Sequence, residues 1–351
     1  MKFVTISTLA SMVLMSNAVF AKDVATLTDY FAEDGKITTK ENYPVFETAR
    51  QFVKVQEKVG VNNFEHKRVL TPTDDQPVVR MNRDTYYSMA TIDVSKGASV
   101  TLPEIPDDMY MSLEVITEDH RIQPMHYGAG TYELSTHTGD HVHIIVRTDT
   151  RFTPDEVHAI QDKMRIEAGS NNQFTAPQVN QEAFEAVEKD LKAQMPVILQ
   201  RDGAQATFGM FTSPEDDSQQ LFTYEKYAVG AAIGWGGAQL VDNVYEVSGN
   251  FPADKCYQAT FPNPENQAFW SITVYNKAGF MFKDVANVSS NFAKKNPDGT
   301  YTVSFGCGPD AINNLETENE SGLFSLAVRH YVPSQKVQDG FRVLPYVKEI
   351  K

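Results

Sequence analysis

The chain has 351 residues, of which 41% are hydrophobic and 11% aromatic, and its formal charge is -15. That is enough apolar material for full hydrophobic cores. The acidic balance argues against nucleic acid and anionic membrane surfaces as partners, because both require a basic patch.

Met1 to Ala21 reads as an export leader. Lys2 supplies its positive start, Phe3 to Met15 is mostly apolar, and Ala18-Val19-Phe20-Ala21 offers a cleavage site. The apolar run is short and interrupted by hydroxyl residues, unlike a membrane-spanning helix. No cysteine follows it to carry a lipid anchor. The mature chain is expected to begin at Lys22, in the periplasm or outside the cell. No later stretch is long and apolar enough to span a bilayer, so no transmembrane segment is expected.

Residues 22 to 60 read as helical, with Thr28 capping a short helix through Phe31. Val45, Phe46, Ala49, Phe52, Val53 and Val59 then follow helical spacing on a second, amphipathic stretch. From 86 to about 148 the period is two. Tyr86, Ser88, Ala90, Ile92 and Val94 alternate with Tyr87, Met89, Thr91 and Asp93, and similar alternation recurs at 110–116 and 141–147. Turn signals at Lys96-Gly97, Pro106-Asp107-Asp108, Gly128-Ala129-Gly130 and Thr138-Gly139-Asp140 have the spacing of an antiparallel sandwich or barrel. At Arg151 the character changes. Thr153-Pro154-Asp155-Glu156 combines an N-cap, a first-turn proline and a reciprocal glutamate. Further helices are expected around Phe184, Val187 and Leu191, stopping near Pro196, and from Thr223 to Trp235. Strands return after 238: Trp270, Ile272 and Val274 face away from Ser271, Thr273 and Tyr275. Asn296-Pro297-Asp298-Gly299 is a hairpin turn, and Phe324 to Tyr331 a last long strand. The expected organisation is a leader (1–21), an N-terminal β-rich domain (22–150), a helical connector (151–237) and a C-terminal β-domain (238–351).

The densest polar string is Arg80-Met81-Asn82-Arg83-Asp84-Thr85-Tyr86-Tyr87, at the mouth of a strand where a rigid sheet can hold it for a ligand. Arg80 and Arg83 suit an anionic group, with Asn82, Asp84, Tyr86, Tyr87, Trp270 and Tyr275 as further candidates for a groove that also draws on Tyr110 and Trp235. The competing reading is architectural: Arg83 and Asp84 pair internally, and the aromatics fill cores.

His120, His126, His137, His141 and His143 cluster in sequence. His141 and His143 share one strand face, the geometry of a metal site, with His126 or Glu133 as third ligand. They also share that face with Arg147, which suggests a solvated surface, and no cofactor is otherwise expected. Nucleophile motifs are missing. A carboxylate pair drawn from Asp84, Glu114 and Asp119 is the remaining hydrolytic arrangement. Cys256 and Cys307 read as a disulfide in an oxidising compartment, or else as two free buried thiols.

Arg80 to Ser88, together with Phe269-Trp270-Ser271-Ile272-Thr273-Val274-Tyr275, Gly279-Phe280 and Asn296-Pro297-Asp298-Gly299, resembles two bacterial families. The first string resembles the domain of unknown function 1254, the later ones its partner family 1214. The resemblance implies a β-rich N-terminal domain and a jelly-roll-like C-terminal domain in an exported protein. It brings no established reaction, and His141-Val142-His143 lies outside its pattern. The fold class expected is therefore mainly β: two antiparallel β-sandwich or jelly-roll-like domains with a helical connector. The function expected is binding of a small polar or anionic molecule or of a partner. A hydrolase of esters or glycans, with or without a histidine-bound divalent metal, and a structural homo-oligomer are the alternatives.

Overall fold

The computed structural model describes residues 22–76, 78–217 and 221–350. The leader expected over residues 1–21 lies outside them. The described chain opens on two short strands, β1 (Asp23–Val24) and β2 (Phe31–Lys36), followed by α1 (Tyr43–Val59). Residues 22–42 thus do not form the helix expected there. Thr28 is no cap, since its hydroxyl donates to Glu57 Oε1 at 2.5 Å. Tertiary pairing decides the outcome: β2 runs beside Val179, where a Cβ at Gly35 would stand 2.4 Å from the Val179 carbonyl carbon. Only glycine permits that approach. The second, amphipathic stretch is helical as expected and buries Phe46, Ala49, Phe52 and Val53, although Val45 is exposed.

Next come β3 (Glu65–His66), β4 (Thr85–Asp93), β5 (Ala98–Leu102), β6 (Met111–Thr117), β7 (His126–Tyr127), β8 (Gly130–Leu134) and β9 (His141–Asp149). They are followed by α2 (Pro154–Gln161), β10 (Arg165–Ala168), β11 (Ala176–Pro177), α3 (Gln181–Asp202) and α4 (Tyr224–Gly234). A five-stranded antiparallel sheet in the order β3-β4-β9-β6-β7 faces a three-stranded sheet, β10-β5-β8. Tyr86, Ala90 and Ile92 of β4 and Val142, Ile144 and Val146 of β9 point into the core between them, which α2 closes with Val157 and Ile160. The alternation read from the sequence is the alternation of faces. The other face of the same sheet is buried too. It lies under α1 and the Trp235–Gly236 turn that follows α4, so the His141, His143 and Arg147 face is not the solvated surface expected. Thr91 shows the contact directly, donating its hydroxyl to the Phe52 carbonyl of α1 at 3.0 Å.

α3 continues through Pro196 to Asp202 instead of stopping at the proline. The missing N–H costs one helical bond. Leu191, Met195 and Ile198, on either side of it, are packed into the core shared by α1, α3 and α4, which holds the helix together across the break.

The last part holds β12 (Asn243–Val247), β13 (Phe251–Pro252), β14 (Tyr257–Phe261), β15 (Phe269–Asn276), β16 (Asn287–Ser289), β17 (Tyr301–Phe305), β18 (Asn314–Leu315), β19 (Leu323–Tyr331), α5 (Gln335–Gln338) and β20 (Val347–Glu349). One sheet runs β12-β19-β15-β16, with β13 also pairing β19, and the other runs β18-β17-β14-β20. Trp270, Ile272 and Val274 face Phe261, Tyr301 and Val303 across the core between the two sheets. Cys256 and Cys307 are disulfide-bonded, joining the start of β14 to the end of β17. Closing a loop of that length is worth about 4 kcal/mol in the chain-entropy model. The molecule is mainly β, and its sheets are antiparallel apart from the short β17–β18 pairing.

Candidate functional site

The outer face of β15 and β19 does not meet water. It meets the mouth of β4, and Asp84 is the joint. Its carboxylate accepts from the Ser271 hydroxyl at 2.5 Å, the Asn287 side-chain amide at 2.7 Å and the Tyr331 hydroxyl at 3.0 Å. Beside this joint Phe269 and Tyr331 stack with ring centroids 4.2 Å apart, and the Tyr110 ring meets Phe269 edge-on. Next to the joint the two β-regions and the helices leave a cavity of about 630 Å³.

The cavity floor is the second face of the β4–β9 pair, with Tyr87 opposite Arg147 and Met89 opposite Ile145 in register. α1 contributes Gln51 and Lys54. The end of α4 contributes Trp235, whose indole N–H donates to Thr48 Oγ1 at 2.9 Å and fixes the ring. β12 and β19 contribute Tyr245, Arg329 and Tyr331. The roof comes from the segment between β3 and β4. Its Gln76 side chain both donates to the Met281 carbonyl and accepts from the Met281 N–H, each at 2.9 Å.

Arg80 lies on this roof. Its N–H donates to the Gly279 carbonyl at 2.8 Å, and its own carbonyl accepts from Arg329 Nη2 at 2.7 Å and the Tyr275 hydroxyl at 3.3 Å. The backbone is held at φ 58°, a left-handed conformation that a non-glycine residue adopts at a cost. The guanidinium lies over the Tyr275 ring, 5.4 Å from its centroid. No protein group among the described residues accepts from that guanidinium, and its Nη1 is fully buried. Burial, with Arg329 close by and only partly offset by Tyr275, pushes the group below the usual arginine range.

The other cations on the wall differ in how far they are neutralised. Arg147 Nη1 is 2.7 Å from Glu114, and its Nη2 donates to the Gly236 carbonyl at 2.9 Å. Burial works against its charge, but Glu114 holds it above the usual range. Arg329 Nη1 donates to Thr273 Oγ1. Lys58 and Lys67 share Glu65, at 3.0 and 2.5 Å, and Arg68 pairs with Asp162 at 2.5 Å. Lys54 is half-buried and has no carboxylate partner among the described residues. Burial, together with Arg50 and Lys58, lowers it. A chain of charge -15 thus builds a cavity whose wall carries three cations, Arg80, Arg329 and Lys54, with no carboxylate in salt-bridge range among the described residues.

Of the residues singled out in the sequence, Arg80, Asn82, Tyr87 and Trp235 lie on this wall. Asn82 donates to the Tyr87 hydroxyl at 2.7 Å and accepts from the Asp84 N–H at 3.0 Å. Arg83 donates to the Thr71 carbonyl at 2.6 Å, which closes the roof on itself. It does not pair with Asp84. Tyr86 fills the N-terminal core and Trp270 the C-terminal one, while Tyr275 stands behind Arg80 with its hydroxyl on the Met81 carbonyl at 2.7 Å. His126 stacks on Tyr132, His141 Nε2 is bonded to the Asn172 carbonyl, and His143 is buried between Phe52 and Trp235. Among the described residues no three His, Cys, Asp or Glu side chains are grouped as a metal ion needs. Glu114 is on Arg147, Asp119 is on Thr117 and His137, and Asp84 is the joint; none of the three is on the cavity wall.

Lys54, Arg147 and Arg329 are wall residues that sequence reading does not assign to a site. Arg329 carries a signal, being a lone charge inside the apolar strand Leu323–Tyr331. Lys54 carries none, since a lysine on the polar side of an amphipathic helix is ordinary.

No helix among the described residues is long and apolar enough to cross a membrane. No curated protein matches the chain. Among solved structures it resembles the VPA0106 protein from Vibrio parahaemolyticus, at 15% identity and a TM-score of 0.62, over 89% of this chain and 98% of that one. An uncharacterised protein from Burkholderia cenocepacia aligns at 13% identity and a TM-score of 0.48, over 84% of each chain. The first of these shows a shared fold. Residues 61–168 match the family described as protein of unknown function (DUF1254), and residues 245–335 match the one described as protein of unknown function (DUF1214). The chain thus carries a region that matches DUF1254 followed by one that matches DUF1214, and residues of both line the cavity.

Proposed function

We propose that the protein binds a small anionic molecule in the cavity between its two β-regions, and that it does so outside the cytoplasm, where the Cys256–Cys307 bond persists. The observation that carries this reading is the half-buried Arg80 guanidinium on the cavity wall, whose buried Nη1 has no acceptor among the described residues. An unpaired buried charge is costly, and a bound anion relieves that cost. The volume is within the range of pockets that enclose small organic ligands. Lys54 and Arg329 add further charges with no carboxylate in salt-bridge range among the described residues, so an anion arriving at the cavity meets a positive field in an otherwise acidic protein.

Isothermal titration with a panel of small organic anions tests the reading. At least one is expected to bind, and Arg80→Gln is expected to weaken it by tenfold or more, the usual loss when a charged hydrogen bond is removed. His126→Ala, on the far side of the sheet from the cavity, serves as the unaffected control. Equal binding by a folded Arg80→Gln protein overturns the reading.

A further inference from the structure

We infer that the ligand is amphipathic, an anionic head on an alkyl chain; this rests on the anion reading above and adds the body of the molecule. Beside the cations Arg80, Arg329 and Lys54 the wall carries an apolar patch of Met89, Ile145, Met210, Phe211, Ile233 and Trp235. Two glycines keep this surface continuous. At Gly236 (φ 72°) a Cβ would stand 2.8 Å from Ile145 Cδ1, and at Gly237 one would stand 2.4 Å from the Phe211 ring. Side chains there would drive both apolar groups out of place. Three methionines, Met81, Met89 and Met210, are on the wall. Their unbranched thioether chains adapt to a flexible partner better than β-branched residues do. A compact hydrophilic anion would leave this surface uncovered, whereas an alkyl chain covers it and gains the hydrophobic contribution of each methylene. The charge of Arg147 beside the patch is taken up by Glu114, which leaves Arg80, on the roof, for the anionic head.

The protein carries its own probe. It has two tryptophans. Trp235 lines the cavity, and Trp270 is sealed in the C-terminal core. A ligand-dependent change in emission therefore reports on Trp235. The test titrates octanoate, decanoate and dodecanoate, then dodecyl phosphate, dodecanol and succinate, all below micellar concentration. Emission is expected to shift with dodecanoate or dodecyl phosphate, and the tighter of the two identifies the head. Affinity is expected to rise with chain length, by up to about fourfold per fully buried methylene. Arg80→Gln is expected to weaken the anion tenfold or more and leave dodecanol unchanged. Because the chain-length series needs only the wild-type protein, a variant that misfolds does not rescue the idea. Succinate binding that depends on Arg80, with no gain along the alkyl series, overturns the amphipathic inference and leaves the anion reading standing. Dodecanol binding as tightly as dodecanoate overturns it as well. Binding of none of the anions overturns both.

Discussion

His120 and His143 are buried imidazoles, pushed by desolvation to about 3. Neither ring nitrogen of His143 has a partner among the described residues, and its ring sits 5.1 Å from that of Trp235 and 5.5 Å from that of Phe52. In the unfolded chain each would titrate near 6.5. Below that pH the unfolded state binds protons that the folded state refuses, so stability is complete above about 6.5 and is lost as pH falls toward 3. The slope is about 1.4 kcal/mol per pH unit for each histidine. His143→Leu should therefore lose stability less steeply than wild type between pH 6.5 and 4.5, measured by urea denaturation at fixed ionic strength; parallel slopes would contradict this account. Strand alternation reveals that His141 and His143 share a face. It cannot reveal that Phe52 of α1 and Trp235 cover that face, because both lie about 90 positions away.

At the level of elements, local chemistry was readable wherever it acts locally. The capping box at Thr153 is formed as its sequence dictates, with the Glu156 carboxylate 2.8 Å from the Thr153 N–H and the Thr153 hydroxyl accepting from the Glu156 N–H. Thr153→Ala is expected to cost about 1 kcal/mol. The urea midpoint should fall while the denaturant slope stays unchanged, since α2 keeps Val157 and Ile160 in the core. A change in the slope would mean that the cap holds more than its own helix. Where an element is set from a distance, the sequence misleads. Phe31–Lys36 is a strand because Val179 lies beside it, and α3 passes through Pro196 because its neighbours hold it.

Over the whole molecule, the cavity gathers Lys54, Arg80, Arg147 and Arg329 from four separate parts of the chain. Periodicity cannot show such a convergence. What could be read was the roof string beginning at Arg80, and it was readable because its polar residues are crowded at a strand mouth. Within that string the roles divide: Arg80 faces the cavity, while Asp84 fastens the two β-regions through three donors, two of them buried. Asp84→Ala leaves Ser271, Asn287 and Tyr331 without their acceptor. A loss of about 3 kcal/mol is expected, the scale for breaking a buried charged network. The two regions should then unfold in separable calorimetric transitions instead of one; a single transition with unchanged midpoint would show that the aromatic contact alone suffices.

The five-stranded sheet is finished on each side by a strand of only two residues, β3 and β7. Beyond β3, the outer edge of β4 is occupied by loop groups: the Lys67 N–H on the Tyr87 carbonyl, the Asn62 N–H on the Thr91 carbonyl, and the Asn62 side chain on the Asp93 N–H. Those ladder positions are thus already filled, and a second molecule finds few free backbone groups to pair with. Long, apolar strands such as β4 and β9 are the ones most prone to template edge-to-edge aggregation. Here they are kept inside the sheet and behind its loops, so the edge offered to a second molecule is short and largely spoken for.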